Sequence, residues 1–178
     1  MKFLSKWIAG AAVFALSAAA MAQPLSVQHA PTAQAFGQAA GVTQRNPAVP
    51  RESDTVTLYM QVCCQFTYDH VAVYYTTDSS DPGGSFGTPT GSTQVATNTS
   101  GGVTFLTNQT TGGNTYDWWS FTVPSAAMTY GTTIKYKLSA WKAFAGSEVF
   151  ANGGAAYSFI NKLAWPGAGA GQANPSAG

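Results

Sequence analysis

Thr132-Thr133-Ile134-Lys135-Tyr136-Lys137-Leu138-Ser139-Ala140-Trp141 reads as one β-strand. Successive side chains of an extended chain point opposite ways, so Ile134, Tyr136, Leu138 and Ala140 share one face. Lys135, Lys137, Ser139 and Trp141 share the other. Residues 55–64 repeat the pattern, with Val56, Leu58, Met60 and Val62 against Thr57, Tyr59 and Gln61. Residues 69–77 do so again, setting Val71, Val73 and Tyr75 opposite Ala72, Tyr74 and Thr76. An apolar face alternating with a more polar one is the signature of antiparallel sheets buried on one side. Shorter strands fit at 94–97, 103–106, 118–123, 148–151 and 156–160, divided by turn sequences such as Asp81-Pro82-Gly83-Gly84 and Asn152-Gly153-Gly154. Many short strands at this spacing predict a sandwich, in which two sheets cover each other's apolar faces. The expected fold is all-β, an antiparallel sandwich of about seven strands over residues 54–162. Its core is expected to hold Leu58, Met60, Val71, Val73, Trp119, Phe121, Ile134, Tyr136 and Leu138.

Both ends of the chain lack this rhythm. Lys2 and Lys6 precede an uncharged, largely apolar run over residues 7–20, and Ala20-Met21-Ala22 follows with the small-x-small pattern of a cleavage site. That order predicts a secretory signal peptide over residues 1–22, hence a secreted or periplasmic protein of bacterial type with no membrane span after cleavage. Residues 23–53, rich in Ala, Gln, Pro and Gly, read as a disordered linker. Residues 163–178 alternate Gly and Ala and read as a flexible tail. A formal net charge of +1, with 8% charged residues, gives no electrostatic footprint for nucleic acid or an anionic membrane surface.

Cys63 and Cys64 are the two cysteines. Neighbouring Cα atoms are about 3.8 Å apart across a trans peptide, below the usual disulfide span. Side chains of neighbours in a strand also point apart. The reading favoured by these constraints is one buried and one half-exposed thiol. A disulfide between the two, stiffening the turn at 65–68, and an intermolecular bridge are the alternatives. No further Cys or well-placed His completes a metal site.

Catalytic constellations are hard to assemble. His29 falls in the linker and His70 opens a strand beside Asp69, which alternation turns away from the ring. Among the carboxylates Glu52, Asp54, Asp69, Asp78, Asp81, Asp117 and Glu148, no spacing requires two to face each other across a cleft. Asp78 and Asp81 read as turn residues. The expectation is no catalytic residue, no cofactor and no metal.

The surplus lies in aromatics, 13% of the chain. Trp118 and Trp119 cannot share a face, and Trp141 lies on the face of Lys135 and Lys137. Outward rings either form a platform for sugar C–H faces or pack beneath a loop or the tail. Tyr74, Trp118 and Trp141 are the candidate ligand-binding residues.

Tyr74-Tyr75-Thr76-Thr77-Asp78-Ser79-Ser80-Asp81-Pro82 resembles a strand-and-turn phrase of immunoglobulin-like and fibronectin-III-like modules of carbohydrate-active enzymes. Residues 116–124 followed by 131–141 resemble the late strands of the immunoglobulin-like module that precedes the barrel in some α-amylase-family glycoside hydrolases. The resemblance spans roughly residues 54–160. It implies an immunoglobulin-like fold with Tyr136 at a tyrosine-corner position. It also implies a non-catalytic accessory role on an α-glucan-like polysaccharide, since a barrel of about 250 residues exceeds this chain. A structural or adhesive module with a secreted protein partner, and the orphaned N-terminal part of an amylase-like enzyme, are the competing expectations.

Overall fold

The computed structural model of the chain describes residues 26–144 and 146–163. The signal peptide expected over 1–22 and residues 164–178 of the expected tail lie outside them. The described chain forms twelve strands: β1 (Ser26–Gln28), β2 (Arg45–Asn46), β3 (Thr57–Cys63), β4 (His70–Thr76), β5 (Gly83–Ser85), β6 (Thr88–Thr90), β7 (Gln94–Thr97), β8 (Val103–Thr111), β9 (Asn114–Thr122), β10 (Thr133–Trp141), β11 (Glu148–Phe150) and β12 (Tyr157–Ile160). One sheet has the order β1-β3-β9-β8, with β2 also on β3, and the other β11-β10-β4-β7, with β12 also on β10. All their pairings are antiparallel. The two sheets pack as a sandwich with the immunoglobulin strand order. β5 and β6 form a separate hairpin. Among the described residues no helix is long and apolar enough to cross a membrane.

The two-residue rhythm decides which side chains face inward. Val56, Leu58, Met60, Val62 and Phe121 of the first sheet meet Val71, Val73, Tyr75, Ile134, Tyr136, Leu138 and Ala140 of the second, all buried. Each fully buried side chain of this size contributes about 1.5–3 kcal/mol relative to exposure, so the stripes hold the sheets together. Trp119 borders this core half-buried, its ring edge-on to Phe105 at 5.3 Å.

Both sandwich sheets hold five strands where about seven in all were expected, and the excess begins in the segment read as a linker. From Ser26 onward residues 23–53 are part of the fold. β1 pairs with one half of β3 (Ser26 opposite Cys63) and β2 with the other (Arg45 opposite Leu58). Strands of three and two residues are too short to show alternation, which is why the sequence hid them. Side chains shape the loop between: the Gln34 amide donates to Ala39 O at 2.9 Å and accepts from Gly41 N–H at 3.0 Å. Arg45 donates to Ala48 O and Ser158 O.

His29, at the exit of β1, is buried between the sheets. Its Nδ1 lies 2.7 Å from Tyr59 O, and its Nε2 2.9 Å from the Tyr136 hydroxyl. A carbonyl only accepts, so the proton sits on Nδ1 and Nε2 accepts from Tyr136 O–H. The Tyr157 hydroxyl donates to His29 O at 2.9 Å, and the Tyr157 ring stacks on Tyr136 at 5.3 Å. The Tyr136 hydroxyl therefore departs from the tyrosine-corner expectation. It ties the second sheet to a histidine 107 residues away rather than to nearby backbone. Burial drives the His29 pKa down to about 4, opposed by the Tyr59 carbonyl and aided by Arg45.

Candidate functional site

The outer face of the second sheet is where sequence and structure meet. β4 is buried on both sides, because the 83–90 hairpin and β11 fold over its outer residues. The tie is a hydrogen-bond network centred on Glu148. Its Oε1 accepts from the Tyr74 hydroxyl at 3.0 Å and the Ser139 hydroxyl at 2.6 Å, and its Oε2 accepts from Phe86 N–H at 2.7 Å. Gly87 N–H completes the set by donating to the Tyr74 oxygen at 2.7 Å. Burial, followed by the Glu148 charge, raises the Tyr74 pKa above the ordinary phenol value.

Tyr74 and Trp141 thus fall in one cluster with Ala72, bordered by Val95 and Phe150. They are not the open platform the sequence suggested. Trp141 is 6% exposed, stacked on His70 at 5.0 Å and met edge-on by Phe86 at 6.0 Å. Trp118 lies across the sandwich on the outer face of the first sheet, 3% exposed. Its indole N–H donates to Gln109 Oε1 at 2.9 Å, and Phe36 from the N-terminal segment stacks over it at 6.1 Å. Each outward ring is roofed by a loop, because an indole left in water would forfeit the burial such loops supply.

What remains open beside Tyr74 is a cleft of about 200 Å³ lined by Tyr74, Pro82, Gly83, Gly84, Lys137, Phe150 and Gly154. Tyr74, 1% exposed, is its floor rather than a contact surface. Phe150 and Lys137, both half-buried, are its accessible sides. The two rings are 6.0 Å apart with a 35° tilt. Gly84 lets the hairpin backbone lie directly on the floor: a Cβ there would sit 2.9 Å from Tyr74 Cε1 and 2.5 Å from Thr88 O, at φ +137°. The Lys137 ammonium forms no ion pair among the described residues. The sequence had marked Lys137 only as a solvated partner face and 81–84 only as a turn. Its one hint was Phe150, two residues beyond the carboxylate that locks the hairpin.

Two further expectations are corrected at the Cys63 end of the sandwich. Cys63 and Cys64 are joined to each other by a disulfide of 2.09 Å, so neither is a free thiol. Their Cα atoms lie 3.0 Å apart across a cis peptide, whereas the expectation rested on the trans spacing. Asp69 does orient His70: Nδ1 lies 2.6 Å from Asp69 Oδ1, which also accepts from Ala143 N–H at 2.7 Å. Strand alternation fails to separate them because Asp69 precedes β4. The His70 contact, with the Ala143 and Lys142 bonds behind it, draws the Asp69 pKa down to about 2. No nucleophilic side chain bonds the other His70 nitrogen among the described residues, and no three His, Cys, Asp or Glu side chains there are grouped to hold a metal. Asp78 caps its own turn through Ser80 N–H at 3.0 Å, and Asp81 pairs with Lys135 at 2.8 Å, as turn residues do. Comparison with known families finds no family model that matches this chain, and comparison with curated proteins finds no match.

Proposed function

We propose that this chain is an exported, non-catalytic accessory module that binds a polysaccharide of α-glucan type, taking one sugar ring in the cleft above Tyr74. The observation that carries this reading is the pairing of an accessible aromatic side, Phe150, with the unpaired Lys137 ammonium in a pocket of about 200 Å³. A pyranose presents an apolar C–H face and a rim of hydroxyls. The ring suits the first and the three N–H donors of Lys137 suit the second. The volume is below the range for drug-sized ligands, so the cleft takes a single ring of a longer chain. The amylase-module resemblance supports an α-glucan over other polymers, and such a module would work beside an enzyme rather than as one.

Affinity electrophoresis and titration calorimetry against glycogen, starch, chitin and cellulose test this reading. Retention by the α-glucans is expected, falling roughly fivefold or more in Phe150→Ala and Lys137→Ala. Absence of retention at millimolar sugar, or retention that neither substitution touches, ends it.

A further inference from the structure

We infer that a second cleft, at the end of β3 and β9 away from Cys63, binds a short oligosaccharide carrying a primary ammonium. The cleft opens where the two strands separate. Thr57 and Thr122 are their last ladder partners, and beyond them Val123 N–H still donates to Val56 O at 2.8 Å. Pro124 has no N–H to continue the pairing, and a 3-10 turn over Ser125–Ala127 then carries the chain away. The gap between residues 53–55 and 122–125 measures about 580 Å³, with the buried side chains of Val123 and Met128 in its lining. That volume lies in the range of ligand sites. The cleft above Tyr74 measures about 200 Å³ and shares no lining residue with it, so this one has room for more than a single ring.

One carboxylate and four hydroxyls belong to the lining. Asp54 Oδ2 accepts Arg51 N–H at 2.8 Å while Asp54 N–H donates to Arg51 O at 3.0 Å, so the turn sets the carboxylate in place before any ligand arrives. Glu52 N–H donates to Lys162 O at 2.7 Å and ties that turn to the chain leaving β12. Among the described residues no donor reaches Asp54 Oδ1 and no cation pairs with Asp54. The hydroxyls of Ser53, Thr55, Thr122 and Ser125 have no hydrogen-bond partner there either. Ser53 holds a φ of 70°, a backbone cost of the kind that gathers at ligand clamps.

The half-engaged carboxylate selects the cation. A guanidinium binds best through two parallel N–H bonds to both oxygens, and Oδ2 already holds the Arg51 amide. A quaternary ammonium has no N–H to give and is held by aromatic faces, which this lining lacks. A primary ammonium places one N–H on Oδ1 and keeps two for the hydroxyls. Each hydroxyl both donates and accepts, so four of them beside an apolar floor suit a ligand with its own rim of hydroxyls better than an alkyl amine. An amino sugar joins the two features in one ring.

Titration calorimetry of the full chain with a glucosamine tetramer tests the proposal, with the N-acetylglucosamine tetramer and maltotetraose as the uncharged comparisons. The amine should bind roughly tenfold or more tightly than its N-acetyl form, and saturating maltotetraose should not displace it. Bound amine should slow hydrogen exchange at the Ser53, Thr55 and Ser125 amides. Asp54→Asn keeps an oxygen for Arg51 N–H and removes the charge, so it should lose that tenfold preference. Thr122→Val with Ser125→Ala removes two hydroxyls that hold nothing in the fold and should weaken binding roughly fivefold, which decides the matter should Asp54→Asn fail to fold. The proposal is overturned if the amine and its N-acetyl form bind equally or not at all. It is also overturned if a folded variant of either kind binds as the parent does, or if the slowing falls on residues outside this cleft.

Discussion

Acidification from pH 6.5 to 4.5 should weaken this fold through His29 before any paired carboxylate gives way. The imidazole is buried, donates from Nδ1 to Tyr59 O and accepts on Nε2 from Tyr136 O–H, so the folded state holds it neutral with a pKa of about 4. The unfolded chain releases it to an ordinary value of 6.5. Between these values the unfolded state binds more protons, so stability falls as pH falls. It is fully present above 6.5 and is lost on the way down to about 4. A gap of about 2.5 pKa units corresponds to about 3 kcal/mol, with a slope of up to about 1.4 kcal/mol per pH unit inside the window. The depressed Asp69 and Asp78 groups contribute in the same direction, but only below their unfolded value near 3.8. Urea unfolding monitored by circular dichroism at pH 7.5, 6.5, 5.5 and 4.5 measures the slope. His29→Gln, whose amide can still donate to Tyr59 O and accept from Tyr136 O–H but does not titrate, should flatten it. An unchanged slope in that variant would refute the assignment, whatever its absolute stability.

Four other outcomes follow from the same geometry. Glu148→Ala strands the buried Tyr74 and Ser139 hydroxyls and should cost about 2–4 kcal/mol in urea unfolding, with faster exchange at the Phe86 and Gly87 amides. Gly84→Ala should destabilise the chain by about 2 kcal/mol or more and abolish glucan retention, because its Cβ collides with Thr88 O and the Tyr74 ring. Phe36→Ala should shift tryptophan emission to the red as Trp118 loses its roof, with a loss of about 1–2 kcal/mol in thermal unfolding. Asp69→Ala should speed exchange at the Ala143 amide while leaving the His29 slope intact, since the two sites lie on different elements.

The sandwich was legible because its long strands carry strict alternation: Val56 to Val62 and Ile134 to Ala140 occupy the core face the rhythm assigned them. The segment before Asp54 was not, because β1 and β2 are fixed by pairing with β3 and by single contacts such as those of His29. No period encodes such contacts. The aromatic site was half legible. The outward direction of Tyr74, Trp118 and Trp141 follows from alternation, but their cover comes from Phe150, Phe36 and Phe86, which lie 76, 82 and 55 positions away along the chain. Asp69 and His70 were misjudged for a local reason: a strand rule was applied across a strand boundary.

The two long inner strands share a pattern of flanking that sets how this molecule meets copies of itself. On one side, β3 is bordered by β1 and then β2, and β10 by β11 and then β12. These are fragments of two to four residues, too broken to serve as a template for an incoming strand. On the other side of the first sheet β8 runs nine residues without a charge or a proline, interrupted only by the irregularity between Phe105 and Thr107. Among the described residues the first sheet thus has one receptive rim and one frayed rim: two copies joined through β8 leave only frayed borders on that sheet, and growth through it ends at the pair.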